Sequence, residues 1–200
     1  MSDSSSAEVR PARRGGAAET RARILSVATE MFYARGIRGT SADRILEQVG
    51  VTRVTFYRHF PTKTDVVVAY LEMQAEREKA AITAAIEGQT AADALLSIAD
   101  MIATFSCSPG FRGCPFINAA AEFPDPEDPV RIVVQQHRQW TRDLFATLSG
   151  EAGAVDAETT AGHVMMLRDG AMVGGYLENP EDPSEELKRA FSAIVNVGSA

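Results

Sequence analysis

Two hundred residues with 45% hydrophobic and 7% aromatic content supply enough apolar side chain for a packed core, which excludes a generally disordered chain. No apolar run approaches the roughly 18 residues of a membrane-spanning helix. The N-terminal MSDSSSAEVRPARRGG has no hydrophobic signal region, so we expect a cytoplasmic chain with no membrane partner. The formal net charge of −7 is unevenly spread: residues 1–63 hold eleven Lys/Arg against six Asp/Glu, a net +5, and residues 64–200 hold nine against twenty-one, a net −12. A basic first third suits a polyanion, and an acidic remainder suits solvent, a partner subunit or a small molecule. Cys107 and Cys114 are the only cysteines, as expected of thiols in a reducing compartment.

Residues 1–17, rich in Ser, Gly and Arg, read as a flexible basic tail. A first helix follows with Ile24, Leu25, Ala28, Met31 and Phe32 on one face, stopped at Gly36. Thr40 with Asp43 three residues on has the form of a capping box, opening a short helix with Ile45, Leu46 and Val49 that Gly50 ends. Thr52 caps the third helix and Pro61 bounds it. Thr62 and Asp65 open a longer helix carrying Val66, Val67, Tyr70, Leu71, Ala75, Ile82 and Ile86. Thr90 and Asp93 start another, through Met101 and Phe105, that Pro109-Gly110 ends. A short apolar piece, Phe116 to Phe123, precedes the acidic loop PDPEDP. A helix from Val133 to Leu148, one capped by Asp156 that runs to Tyr176, an interruption at 179–183 and a last helix from Ser184 complete an all-α chain of about nine helices.

The second and third helices are joined by a tight glycine-containing turn, the outline of a helix-turn-helix. On the third, Phe56 and Phe60 are four apart and share the inward face, which turns Arg53, Thr55, Tyr57 and Arg58 elsewhere. A helix about 10 Å across fits a major groove about 12 Å wide. Arg53 is then placed to read guanine O6 and N7, and the methyls of Val54 and Thr55 to touch thymine. Tyr57, His59 and Lys63 suit phosphate oxygens, and Lys63 sits beside a helix N-terminus that favours an anion. A solvated basic face is the bland alternative, disfavoured by the net +5 of the segment.

Residues 20–63 resemble the DNA-binding domain of the TetR/AcrR family of bacterial transcription regulators. The likeness rests on ILSVATEMFYARGIRGTSADRILEQVGV followed by TRVTFYRHFPTKTDVV. It includes the Gly after helix one, the Thr-Ser opening helix two, GV before helix three, and the Tyr, Phe and Lys around its end. The resemblance implies that Thr40, Ser41 and Arg44 lie at the edge of the site, with Arg53, Val54, Thr55, Tyr57 and Arg58 in or beside the groove and His59 and Lys63 on phosphates. Leu46 stands where many members have a smaller residue, which bears on packing rather than on DNA contact. RGCPFINAAAEFPDPEDPVR, residues 112–131, resembles a segment in the effector domains of some members.

The expected organisation is a helix-turn-helix domain over 18–63 and an effector-binding and dimerisation domain over 64–200. The expected partners are double-stranded operator DNA, a small-molecule effector and a second copy of the chain. The adaptable apolar residues Met101, Phe105, Phe116, Trp140, Phe145 and Met166, with Cys114, are the candidate ligand pocket. The last two helices offer Val164, Met165, Ala171, Met172 and Tyr176, then Phe191, Ile194 and Val195, as a dimer face. Gly170, Gly174 and Gly175 would allow close approach there. Cys114 beside Arg112 keeps a redox- or electrophile-sensing alternative open. Cys107, Cys114, His137 and His163 match no zinc spacing, so no metal or other cofactor is expected. GIRG at 36–39 has the form of an RNA-clamping loop but lies between helices. No nucleophile elbow, phosphate-binding loop or dinucleotide fingerprint marks an enzyme. A helical enzyme or an interaction module remain as alternatives to a ligand-responsive repressor.

Overall fold

The structure is a computed structural model that describes residues 14–177 and 184–197. Among them are nine α-helices and no strand: α1 (Arg14–Arg35), α2 (Ala42–Val49), α3 (Arg53–His59), α4 (Lys63–Ile86), α5 (Ala91–Ser106), α6 (Pro115–Glu122), α7 (Pro129–Glu151), α8 (Ala157–Leu177) and α9 (Ser184–Val197). Residues 14–17, expected in the tail, form the first turn of α1; the rest of the tail and the interruption at 179–183 lie outside the described residues.

Side-chain caps start most of these helices. Thr52 accepts from the Thr55 amide, Thr90 from Asp93, and Thr62 and Asp65 complete a reciprocal box. The cap of α2 falls one residue later than the pattern suggested. Ser41 accepts the Arg44 amide, and Thr40 is fully buried, its hydroxyl directed at the carbonyls of Met31 and Gly36. The likeness to a capping box misled because Thr40 and Ser41 are both good caps, and the hydroxyl of Thr40 is already engaged by the end of α1.

The N-terminal core is made by Ile24, Ala28 and Phe32 of α1, Ile45 and Val49 of α2, and Phe56 and Phe60. The C-terminal core runs through Leu71 of α4, Leu95 and Ile98 of α5, Val134 and Phe145 of α7, Val164 of α8 and Phe191 of α9. Helix α4 belongs to both, packing on α1 at one end and on α5 and α7 along its length. Helices α5 and α8 approach closely at Gly175, where a Cβ would come within 2.6 Å of the Cβ and carbonyl oxygen of Ser106.

Two expectations about the last helices change. Val164 and Phe191 are fully buried in the chain's own core, Met165 and Met172 nearly so, and Gly175 is spent on Ser106. These residues therefore cannot form an outer face. A periodic apolar stripe cannot by itself distinguish the side that packs on neighbouring helices of the same chain from a second, outward side. Ala171 and Ile194 are half-buried against that core, Tyr176 is exposed, and the side chain of Val195 lies outside the description. The outward side of α8 carries Met166, Val173, Tyr176 and Leu177, 71%, 45%, 48% and 72% exposed.

Candidate nucleic-acid interface and ligand cavity

Helix α3 is short, and its two inward phenylalanines fix which way it faces. Phe56 and Phe60 are buried with ring centroids 6.3 Å apart, and the Arg21 guanidinium covers Phe60 from outside at 4.7 Å. Gly50, at φ +73, makes the left-handed turn between α2 and α3. Arg23 of α1 donates to the Val49 carbonyl and secures the end of α2. With the pair so held, Arg53, Val54, Tyr57 and Arg58 are exposed, Val54 by 79%. Thr55 is half-buried, its hydroxyl accepting from Thr52. Ser41 and Arg44 lie exposed beside them, but Thr40 has no surface to offer DNA.

The remaining two candidates are partly engaged within the chain. His59 is half-buried and its Nε2 lies below the surface. The Lys63 ammonium donates to the Ile37 carbonyl at 2.6 Å, and partial burial lowers its pKa from the ordinary lysine value. Two of its three N–H groups stay available to an anion. Arg53 also has a partner that the sequence did not reveal: its Nη2 donates to Asp43 Oδ1 at 2.6 Å.

A cavity of about 330 Å³ lies between α4, α5, α6 and α8. Ile82, Ile98, Met101, Ile102, Phe105 and Met172 give it an apolar wall, Cys114 and Pro115 form the α6 end, and Gln74, Arg77, Glu78 and Arg168 the polar edge. Of the expected pocket residues, Met101, Phe105 and Cys114 are there. Phe116 is buried and stacked on His137 at 3.7 Å, Phe145 meets Phe191 edge-on, Trp140 carries the Lys79 ammonium over its ring, and Met166 faces outward. These four make other contacts because their own helices turn Phe116 towards α7, Phe145 towards α9, Trp140 towards Lys79 of α4 and Met166 to solvent.

Along the polar edge of the cavity runs a largely buried polar network that no motif announced. Arg168, 3% exposed, donates to Glu78, to Asp169 and, at 3.8 Å, to the Cys114 sulfur. Burial opposes its charge, but Cys114, Glu78 and Asp169 outweigh burial and raise its pKa above the ordinary arginine value. Burial pushes Glu78 up, while His137, 3.4 Å away, and Arg168 pull it down further, leaving it below the usual carboxylate range. The arginine beside Cys114 is thus Arg168; the expected neighbour, Arg112, lies over the Tyr176 ring. The readable signal was an arginine in the otherwise apolar stripe Ala161, Val164, Met172 of α8.

Helix α6 ties the cavity to the N-terminal domain. At its far end the Glu122 carboxylate accepts the amides of Ile37 and Arg38, at 2.8 and 2.5 Å, in the turn after α1. Beyond its near end, Tyr33 of α1 donates to the Gly113 carbonyl and accepts the Arg112 amide. The GIRG turn is therefore occupied by a carboxylate of the same chain, and the sequence, with the partners 85 positions apart, carried no sign of it.

Residues 24–70 match the family of bacterial regulatory proteins of the tetR type, and residues 91–191 match the tetracyclin repressor-like C-terminal domain. A TetR-family transcriptional regulator from Streptomyces coelicolor is 41% identical, with a TM-score of 0.87 over 92% of this chain and 97% of that one. The regulator LmrA of Bacillus subtilis is 26% identical over 70% of this chain and 79% of its own length. TtgR of Pseudomonas putida is 45% identical over 56 residues, 28% of this chain and 27% of that protein, so that likeness spans about a quarter of either. With a family match at each end and the likeness to the Streptomyces structure running nearly from end to end, this chain belongs to the TetR family of DNA-binding transcriptional regulators.

Proposed function

We propose that the chain is a cytoplasmic repressor, released from its operator when a small, mostly apolar ligand enters the cavity beside α6. One observation carries this reading: α6 begins in the cavity wall at Cys114 and Pro115 and ends on the amides of Ile37 and Arg38. A ligand that prefers one placement of α6 biases the placement of the helix-turn-helix by that preference and no more. The apolar wall favours a hydrophobic body; of the charged residues along its edge, Glu78 is paired with Arg168 and Arg77 is exposed. Ser41, Arg44, Arg53, Val54, Thr55, Tyr57 and Arg58 face the groove in this reading, with His59 and Lys63 towards phosphates. The division between the DNA-binding part, 18–63, and the effector part, 64–200, falls at the start of α4. A second copy docks through the outward side of α8, Met166, Val173, Tyr176 and Leu177, because one short recognition helix reads too few base pairs alone. No catalytic step is part of this function.

The test is operator release, measured by fluorescence anisotropy on a duplex that the chain selects from a random-sequence pool. Uncharged apolar compounds release the wild type, and Met101→Trp, which fills the cavity, binds the duplex but no longer responds. Release only by metal ions or phosphorylated compounds, or an unchanged response of Met101→Trp, contradicts the reading. A second reading has its own observation, the Arg168 guanidinium 3.8 Å from a Cys114 sulfur in the cavity wall. Under it, an apolar electrophile acts by alkylating Cys114, and Cys114→Ser loses that response while keeping the one to unreactive ligands.

A further inference from the structure

Asp43 is the second residue of α2 and Arg53 the first of α3, and their side chains meet across the Gly50 turn at 2.6 Å while 63% and 66% exposed. Such an exposed pair adds little to stability. It also places a carboxylate on the face that phosphates approach, where it weakens binding to any DNA. What the pair does provide is a fixed guanidinium. An unanchored arginine loses several side-chain rotations when it meets a base. With one Nη2 hydrogen on Asp43, the side chain is held at one end while its other N–H groups stay free for guanine O6 and N7.

We propose that Asp43 is a positioning residue for sequence discrimination: it holds Arg53 in the orientation that reads a base and at the same time weakens sequence-independent binding. The proposal rests on the reading of Arg53 as a base contact. It assigns a role in specificity to an acidic residue outside the recognition helix.

The test uses the full chain, the selected duplex and a random duplex at one salt concentration. Asp43→Ala and Asp43→Asn are compared in the wild-type and Arg53→Ala backgrounds. Asp43→Ala binds the random duplex more tightly, and its ratio of selected to random affinity falls by about two- to fivefold. Asp43→Asn strengthens random binding by the same amount but keeps more of the ratio, because an oxygen acceptor remains. In the Arg53→Ala background the ratio no longer depends on residue 43. If Asp43→Ala leaves the ratio unchanged, or lowers both affinities together with the melting temperature, the positioning role is overturned while base reading by Arg53 stands. If Arg53→Ala alone fails to lower the ratio, by about five- to 150-fold for one bidentate base contact, base reading falls and the proposal falls with it.

Discussion

Glu122→Ala should loosen α6 from the DNA-binding domain while leaving both folded. Its carboxylate receives two backbone amides in a turn where Gly36, at φ +80, has no Cβ; one built there would stand 3.2 Å from Glu122 Oε1. A hydrogen bond to a charged group contributes about 1.5–3 kcal/mol when well buried. The bond to the Ile37 amide is part-buried and the one to Arg38 is exposed, so water recovers much of the second. We take about 2 kcal/mol for the pair. The Tyr33 hydrogen bonds and the packing of α1 on α4 remain, so what is lost is one of the two polar ties between α1 and the α6 region. Two effects follow. The amides of Ile37 and Arg38 exchange with deuterium faster, by up to roughly 30-fold. Affinity for the selected duplex falls by no more than that factor, because the recognition helices must be fixed at binding rather than beforehand. Glu122→Gln, which keeps one acceptor oxygen, lies between. Exchange mass spectrometry and anisotropy titration measure the two quantities. Unchanged protection of both amides together with full operator affinity would refute the idea that this carboxylate links α6 to α1.

Gly175→Ala and Gly174→Ala should move stability in opposite directions. The first drives a Cβ to 2.6 Å from Ser106 and costs about 1–3 kcal/mol, while the second meets open space and gains up to about 1 kcal/mol of helix propensity; equal shifts in melting temperature would contradict this. Glu78 has a folded pKa below its unfolded one, so its contribution is complete above the ordinary carboxylate range and is lost as pH falls through the depressed value. Glu78→Gln is therefore less stable at neutral pH and loses less on acidification, and parallel urea midpoints from pH 7 to pH 3 would contradict the assignment. Met166→Glu with Leu177→Glu should sediment as a helical monomer with weakened operator binding, whereas Phe191→Glu should lose helicity, since Phe191 is fully buried against Phe145; a helical, monomeric Phe191→Glu would contradict that packing.

Local signals in the sequence were legible where they act locally. The spacing of Phe56 and Phe60 oriented α3, and Thr52, Thr62 and Thr90 marked helix starts because a hydroxyl needs only the amide three residues on. The exposure of Arg53, Val54, Tyr57 and Arg58 followed from the same spacing. Tertiary choices were not legible. Thr40 and Ser41 look alike as caps, and only the carbonyls of Met31 and Gly36 decide between them. Val164 and Phe191 have the periodicity of an interface and the position of a core. Phe116, Phe145 and Trp140 are large and apolar wherever they point, so composition gave a pocket inventory but not its walls. Glu122, Arg168 and Glu78 pair with residues 84 to 90 positions away, and residue type alone does not select such partners.

The distribution of burial bears on which element can move. Helices α5, α7 and α8 each bury at least seven residues, and shifting any one of them would reopen that core. Helix α6 has eight residues and buries Pro115, Phe116 and Ala119. Its entry carries glycines at φ +80 and +85, Gly110 and Gly113, and its start has no side-chain cap. Low burial, a short helix and an uncapped start belong to the parts of a fold that open first. Yet α6 also holds the contacts to Ile37, Arg38 and Arg168, through Glu122 and Cys114. The effector-domain helix with eight residues and three of them buried is therefore placed by polar contacts at both ends. In the proposed function a cavity ligand shifts α6 only by the difference between its affinities for the placements in which these contacts are made and lost.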